Sequence, residues 1–191
     1  MSKPERACQI KVTLHGMKPA IWRRCVISEA CDLHTLHGII QDAMGWLDSH
    51  LYEFEVAGQR FCDPEREDDF ESQEDVLSSH SAALAQFSLK PGSRFGYTYD
   101  FGDDWEHEIL VEELRPRKEG EILPICVAGE RNCPPEDCGG SHGYAEFLEA
   151  YLNPSHPEHH EMVEWAGSDF DPEAFDLPET NEILHTQYAK R

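Results

Sequence analysis

The segment from residue 126 to residue 143 reads C-V-A-G-E-R-N-C-P-P-E-D-C-G-G-S-H-G and separates two differently patterned parts of the chain. It contains three cysteines, two prolines and four glycines. Proline lacks a backbone donor and glycine is entropically costly in regular structure, so this composition predicts an ordered loop. We expect one domain over 1–191, with a sheet-rich part over 8–128, the loop over 129–143 and a helical part over 144–188.

In the sheet-rich part, alternating apolar and polar residues predict β-strands. Directly before the loop, R-F-G-Y-T-Y-D-F (94–101) and W-E-H-E-I-L-V-E-E-L (105–114) flank Gly102-Asp103-Asp104 and predict a hairpin. With an even number of residues in its connection, Asp100 and His107 would lie nearly opposite each other on one face. Further strands are predicted over 8–15, 21–27, 50–56, around Phe61 and over 122–127.

Helical spacing appears once before the loop and repeatedly after it. Leu33 to Met44 is predicted as a helix, with Asp32 capping its start and Gly45 ending it in the left-handed conformation. Later helices are predicted over 144–152, 156–166 and 179–188, with short helical turns at 82–87 and 173–175, whereas the acidic segment 63–75 is predicted as a solvated loop. Strands joined by short turns, followed by helices, indicate an α+β fold with a mainly antiparallel sheet and helices on one side.

The charge of the chain restricts its partners. Its 38 acidic and 16 basic residues give a formal net charge of -22. Phosphate backbones and anionic lipids attract lysine and arginine, so this balance argues against direct nucleic-acid binding by the chain alone and against membrane binding. The N-terminus has no apolar signal region, and we expect a cytoplasmic protein. In a reducing compartment the seven cysteines are expected as free thiols or metal ligands before disulfides.

Three of these cysteines, Cys126, Cys133 and Cys138, lie in the loop itself. With His107 or His142 as a fourth ligand they could form a zinc site, which would explain how such a segment stays ordered. Two other interpretations stay open. The thiols could simply pack while Pro134 and Pro135 fix the loop, or Cys133 and Cys138 could act as a redox pair.

A second cluster of polar residues is acidic. The hairpin carries Asp100, Asp103, Asp104, Glu106, His107 and Glu108, and the loop could add Glu136 and Asp137. Carboxylates and a histidine meeting at one place could bind Mg²⁺, Mn²⁺ or Zn²⁺ and activate water. The alternative is that Asp100 caps the turn, His107 is a sheet residue and the remaining acids are solvated.

Four separated motifs resemble one known family. These are K-P-A-I-W-R-R (18–24), the segment from Leu36 to Phe54, Y-D-F-G-D-D-W-E-H (99–107) and C-P-P-E-D-C-G-G-x-x-G-Y (133–144). The family is the Ri-plasmid ORF-three-like (plasmid ORF-3-like) family, whose members are sometimes labelled insertion-element passenger proteins. The resemblance covers roughly residues 8–185. It implies a roll-like α+β domain and a link to mobile elements, but no established activity or cofactor.

Three functional hypotheses follow. The first is a binding or adaptor domain that recognises a protein or a basic ligand through an acidic-aromatic groove, formed by Trp46, Tyr99, Asp100, Asp103, Trp105, Glu136 and Asp137. The second is a metal-dependent hydrolase or nuclease-like enzyme using Asp, His and Glu, and the third is a structural zinc protein. We expect the hairpin tip and the loop to lie against each other and to form a single concave feature on the sheet.

Overall fold

The computed structural model of the protein describes residues 5–64 and 75–188. Within these ranges eight strands form one sheet. They are β1 (Arg6–Leu14), β2 (Trp22–Ser28), β3 (Tyr52–Val56), β4 (Gln59–Cys62), β5 (Val76–Ser78), β6 (Arg94–Tyr99), β7 (Trp105–Pro116) and β8 (Ile125–Glu130).

The strand order is β5-β4-β3-β6-β7-β1-β2-β8, so the sheet is open, with β5 and β8 at its edges. Neighbouring strands are antiparallel except β4 and β5, which are parallel. The structure confirms an α+β fold with a mainly antiparallel sheet. The two strands of the central hairpin, β6 and β7, pair Tyr99 with Trp105 and Tyr97 with His107.

Alternation along the strands separates a buried face from a polar one. In β1, Ile10, Val12 and Leu14 are buried in the main core, as the period-two pattern predicts. On the other face Arg24 of β2 donates two hydrogen bonds, of 2.6 and 2.8 Å, to the Glu112 carboxylate of β7. This division leaves one sheet face for the helices to cover.

Four helices occur in the described part of the chain: α1 (Leu33–Met44), α2 (Gly140–Tyr151), α3 (His159–Ala166) and α4 (Leu177–Tyr188). Residues of α1, α2 and α4 are buried in the same core as the sheet. The predicted ends of α1 are confirmed, because Asp32 accepts a hydrogen bond from the Thr35 amide and Gly45 is left-handed. Across 5–64 and 75–188 every helix is too short or too polar to cross a lipid bilayer.

Several predicted boundaries are wrong around the loop. Strand β8 extends to Glu130 because it pairs with β2 at the sheet edge, and α2 begins at Gly140 because left-handed Gly139 turns the chain into it. The irregular connection therefore covers only 131–139. Away from the loop, the helical turn predicted at 173–175 is absent, and the one predicted at 82–87 is a 3₁₀ turn over 84–87. Most of the predicted acidic loop, 65–74, lies outside the described residues.

Candidate functional site

The hairpin tip between β6 and β7 lies directly against the loop that leads into α2. The Gly139 amide donates a 3.0 Å hydrogen bond to Asp103 Oδ2. At Gly140, which has a φ of +68°, an added Cβ would lie only 2.3 Å from the Asp103 carbonyl oxygen. Glycine is therefore required at residue 140 for the two backbones to approach so closely. The expected contact between the hairpin and the loop is present.

Asp100 begins this hairpin tip and uses its two carboxylate oxygens differently. Its backbone is left-handed, with a φ of 56°. Oδ1 accepts a 2.9 Å hydrogen bond from the Gly102 amide and so caps the turn. Oδ2 lies 3.6 Å from Nε2 of His50, a residue in the segment between α1 and β3. Asp100 is thus both the expected turn cap and a group that faces a histidine.

Glu136 brings the loop to the same place. Its Oε1 accepts a 2.7 Å hydrogen bond from the Leu47 amide, and both carboxylate oxygens lie 3.1 Å from the Tyr99 hydroxyl, which donates. Burial and the neighbouring Glu136 charge raise the pKa of Tyr99, which keeps this hydroxyl protonated. The same hydroxyl accepts hydrogen bonds from the Ser49 and His50 amides. Tyr99 therefore holds both the carboxylate and the backbone that carries His50.

His50 lies at the centre of this arrangement. Its Nε2 is 3.0 Å from Asp137 Oδ1, 3.6 Å from Asp100 Oδ2 and 3.7 Å from Glu136 Oε2. The nitrogen is inaccessible to solvent, yet none of these contacts has the alignment of a hydrogen bond. The ring packs edge-on to Tyr99, with 5.9 Å between centroids. A buried polar atom normally has a hydrogen-bond partner, so this nitrogen calls for an explanation. Together, the imidazole nitrogen and the surrounding carboxylate oxygens form a set of ligands suited to a metal ion.

The spacing of these atoms supports the same interpretation. Two ligand atoms that are each about 2.1 Å from a common ion, at roughly tetrahedral or right angles, are about 3.0–3.4 Å apart. The separations of 3.0 and 3.6 Å from His50 Nε2 to Asp137 and Asp100 are close to this range. The Asp137 side chain is 72% exposed, so one side of the group faces solvent. An ion held there would keep positions for water, as in hydrolytic metal sites.

A second group of potential ligands, His34, Asp63 and His80, lies elsewhere in the described ranges. Here His80 Nε2 forms an aligned hydrogen bond with Asp63 Oδ1 at 3.1 Å and His34 Nδ1 forms one with the Tyr52 hydroxyl at 3.0 Å, while His34 Nδ1 lies 3.8 Å from Asp63 Oδ2. The two imidazoles stack with centroids 4.0 Å apart. This group forms a hydrogen-bonded network without an ion, so the His50 group is the stronger metal candidate.

The structure excludes His107 from the acidic cluster. The hairpin connection, Asp100 to Asp104, has five residues rather than an even number, so His107 pairs with Tyr97 and points into the core. Its Nδ1 donates to the Tyr97 carbonyl at 3.3 Å. Burial lowers its pKa from 6.5 to about 3. The predicted placement of Asp100 opposite His107 is therefore wrong, and His50 supplies the histidine instead.

The predicted thiolate zinc site is not assembled. Over residues 5–64 and 75–188, only the two groups above bring three possible ligands together, and neither contains a cysteine. Cys126 lies opposite Cys25 on β2, while burial raises the pKa of Cys133 strongly and that of Cys138 to about 12. No disulfide joins any of the seven cysteines, all of which lie in the described ranges. His142 is exposed on α2, 3.6 Å from Glu146.

The aromatic residues of the expected groove are not at its surface. Trp46, Tyr99 and Trp105 are 5%, 0% and 2% exposed, because they form the core beneath the cluster. Trp46 supports the loop by donating a 3.0 Å hydrogen bond from Nε1 to the Pro134 carbonyl. Of the predicted binding residues, Asp100, Asp103, Glu136 and Asp137 converge, whereas the tryptophans act as the support below them.

Sequence reasoning missed His50, although its signal is present. Tyr52 of β3 pairs with Tyr99 of β6, so the residues just before β3 lie beside the residues just after β6. Strand register alone therefore places His50 near Asp100, once β3 is known to neighbour β6. The sequence order suggests no such pairing, because β4 and β5 intervene along the chain.

Comparison with known proteins places the chain in a family. The model of the plasmid pRiA4b ORF-3-like protein family matches residues 6–179. The chain belongs to this family. The protein y4hQ of Sinorhizobium fredii, described as uncharacterised, is 38% identical over 184 residues, covering 95% of this chain and 92% of the relative.

A similar solved structure supports the fold. The protein of unknown function MM3350 from Methanosarcina mazei Go1 matches with a TM-score of 0.82 and 38% sequence identity. The match covers 92% of this chain and 97% of that one. Both relatives are described without an activity, so the functional argument for this member rests on its own site.

Proposed function

We propose that this ORF-3-like protein binds a divalent metal ion through His50 Nε2, Asp100 Oδ2 and Asp137 Oδ1, called the His50 site below. The observation that carries the proposal is the position of His50 Nε2, buried among carboxylate oxygens at 3.0 to 3.7 Å without an aligned hydrogen bond. An ion at their centre would neutralise carboxylates that otherwise repel one another.

The donor set indicates which ions fit. One imidazole nitrogen and two carboxylates suit Zn²⁺, Mn²⁺ or Fe²⁺ better than Ca²⁺, which prefers six to eight oxygens. The Tyr99 hydroxyl accepts a hydrogen bond from the His50 amide and donates to the Glu136 carboxylate, so it holds the loop and the His50 backbone in place. Hydrogen bonds that orient the ligand-bearing segments in this way are typical of metal sites. The site thus has its ligands on three separate segments that the fold brings together.

The proposal is tested by titrating chelator-treated, untagged protein with Zn²⁺ and Mn²⁺ in a calorimeter. We expect one ion per chain, and a loss of affinity of about tenfold or more for His50→Gln, since one of three ligands is removed. Asp100→Asn is a second informative variant, because an amide oxygen keeps the turn hydrogen bond to Gly102 while the charge is lost.

Two control variants address the sites that the sequence suggested. His142→Gln and Cys133→Ser each remove one of the loop's potential ligands and lie outside the His50 site. Both should bind the ion as tightly as the unmodified protein. Metal affinity that survives His50→Gln and Asp100→Asn, or that is lost equally in Cys133→Ser, would refute the proposal.

A further inference from the structure

A groove next to the His50 site is not used by the proposed metal chemistry. It lies between α2 and α3 and has a volume of about 410 Å³, within the range of small-ligand sites. Asp137 and Cys138 also line it, so the groove and the His50 site share Asp137. The two sites are otherwise formed by different residues.

The floor of the groove is apolar. Phe147 and Ala150 of α2 are buried, and Met162 of α3 is half-buried beside them. Trp165, also of α3, is 47% exposed and packs edge-on to Phe147, with 5.6 Å between the ring centroids. An exposed tryptophan next to an apolar floor can contact both methylene groups and a cation.

The rim of the groove is acidic. Four carboxylates line it, those of Asp137, Glu146, Glu158 and Glu161, and no lysine, arginine or histidine does in the described part of the chain. Glu146 also lies 3.6 Å from His142 of the same helix, and a bound cation would relieve the mutual repulsion of the rim carboxylates. The charge of the rim therefore selects a positively charged ligand.

We propose that this groove binds the side chain of an arginine in a polypeptide partner. The three methylene groups of arginine fit the apolar floor, and its planar guanidinium can stack on Trp165 while donating to two rim carboxylates. Lysine offers only a compact ammonium, which forms no such paired hydrogen bonds. The groove would thus give the protein a second ligand site beside the His50 site, with which it shares Asp137.

The experiment measures binding of Nα-acetyl-arginine amide, which mimics an arginine within a chain, by fluorescence titration in the presence of chelator. The chelator keeps the result separate from the His50 site. Nα-acetyl-citrulline amide, which lacks the charge, should bind at least about threefold more weakly.

A matched pair of variants separates a local site from the general negative charge of the protein. Glu161→Gln removes a rim carboxylate, and Glu149→Gln removes an exposed carboxylate of α2 that does not line the groove. Glu161→Gln should weaken binding by about threefold to tenfold, and Trp165→Ala by a similar factor, while Glu149→Gln changes it little.

Equal binding of the arginine and citrulline probes would overturn the proposal. So would an equal loss in Glu161→Gln and Glu149→Gln, which would show that only long-range charge attracts the probe. Failure of the metal titration would leave this result unaffected, because the arginine titration contains no metal.

Discussion

Two histidines, His107 on β7 and His50 in the segment before β3, show how local surroundings decide a residue's role. His107 is enclosed among aromatic rings, with Trp46 edge-on at 5.4 Å and Tyr97 at 5.2 Å. His50 has one aromatic neighbour and three carboxylates. The residue type is the same at both positions, so the sequence alone favoured the histidine in the more conspicuous motif, D-F-G-D-D-W-E-H.

The burial of His107 predicts a specific pH dependence of stability. Its folded-state pKa of about 3 lies below the ordinary value of 6.5, so the unfolded chain binds an extra proton between these values. The free energy of unfolding should therefore decrease as the pH falls below 6.5. Between pH 7 and pH 5 this one residue accounts for a loss of about 2 kcal/mol.

Chemical denaturation at pH 7 and at pH 5 checks this contribution. In His107→Leu the difference between the two pH values should be smaller by about 2 kcal/mol than in the unmodified protein, because leucine binds no proton. An identical pH dependence in both proteins would show that His107 is protonated in the folded state as readily as in the unfolded one.

At the scale of the element, the loop and the start of α2 depend on close backbone contacts that side-chain patterns do not reveal. Proline and glycine correctly predicted an irregular segment, and apolar spacing predicted α2 from Tyr144 onward. The first turn of α2 carries no apolar periodicity, so its start at Gly140 could not be seen. The contact between Asp103 and Gly140 is set by the tertiary structure.

Gly140→Ala tests that contact. A methyl group would meet the Asp103 carbonyl oxygen, and alanine disfavours the left-handed backbone, so we expect a loss of about 2–4 kcal/mol in the free energy of unfolding. Because the loop would move away from the hairpin, metal affinity at the His50 site should fall as well.

Gly45→Ala is the matched control. Gly45 has a φ of +97°, but an added Cβ there meets nothing within 4 Å. Only the backbone cost of about 1 kcal/mol should appear, and metal affinity should stay unchanged. If both variants lose the same stability and both bind metal normally, the close approach of loop and hairpin is unimportant for the site.

At the scale of the whole molecule, the sequence was sufficient for the fold class and for most elements, because alternation and helical spacing are local. The order of the strands within the sheet could not be predicted from the sequence. The placement of β6 between β3 and β7, and the parallel pairing of β4 with β5, depend on contacts between distant segments. The candidate site could not be predicted for the same reason. Its ligands come from three segments that are distant in sequence, and only the strand order brings them together.

Part of the net charge of -22 is concentrated at two places in the folded protein. The carboxylates of Asp100, Glu136 and Asp137 gather around His50, and further carboxylates line the neighbouring groove. Both surfaces favour positively charged ligands, a metal ion in one case and an arginine side chain in the other. The preference for a basic ligand that the sequence predicts remains a proposal, which we now assign to the groove between α2 and α3.

The most direct test of the metal proposal is anomalous diffraction from crystals of the protein grown or soaked with Mn²⁺. We predict one strong anomalous peak within about 2.0–2.3 Å of His50 Nε2 and of the Asp100 and Asp137 carboxylates. Strong peaks only at other positions, or His50 Nε2 hydrogen-bonded to Asp137 with no peak beside it at millimolar Mn²⁺, would contradict the account.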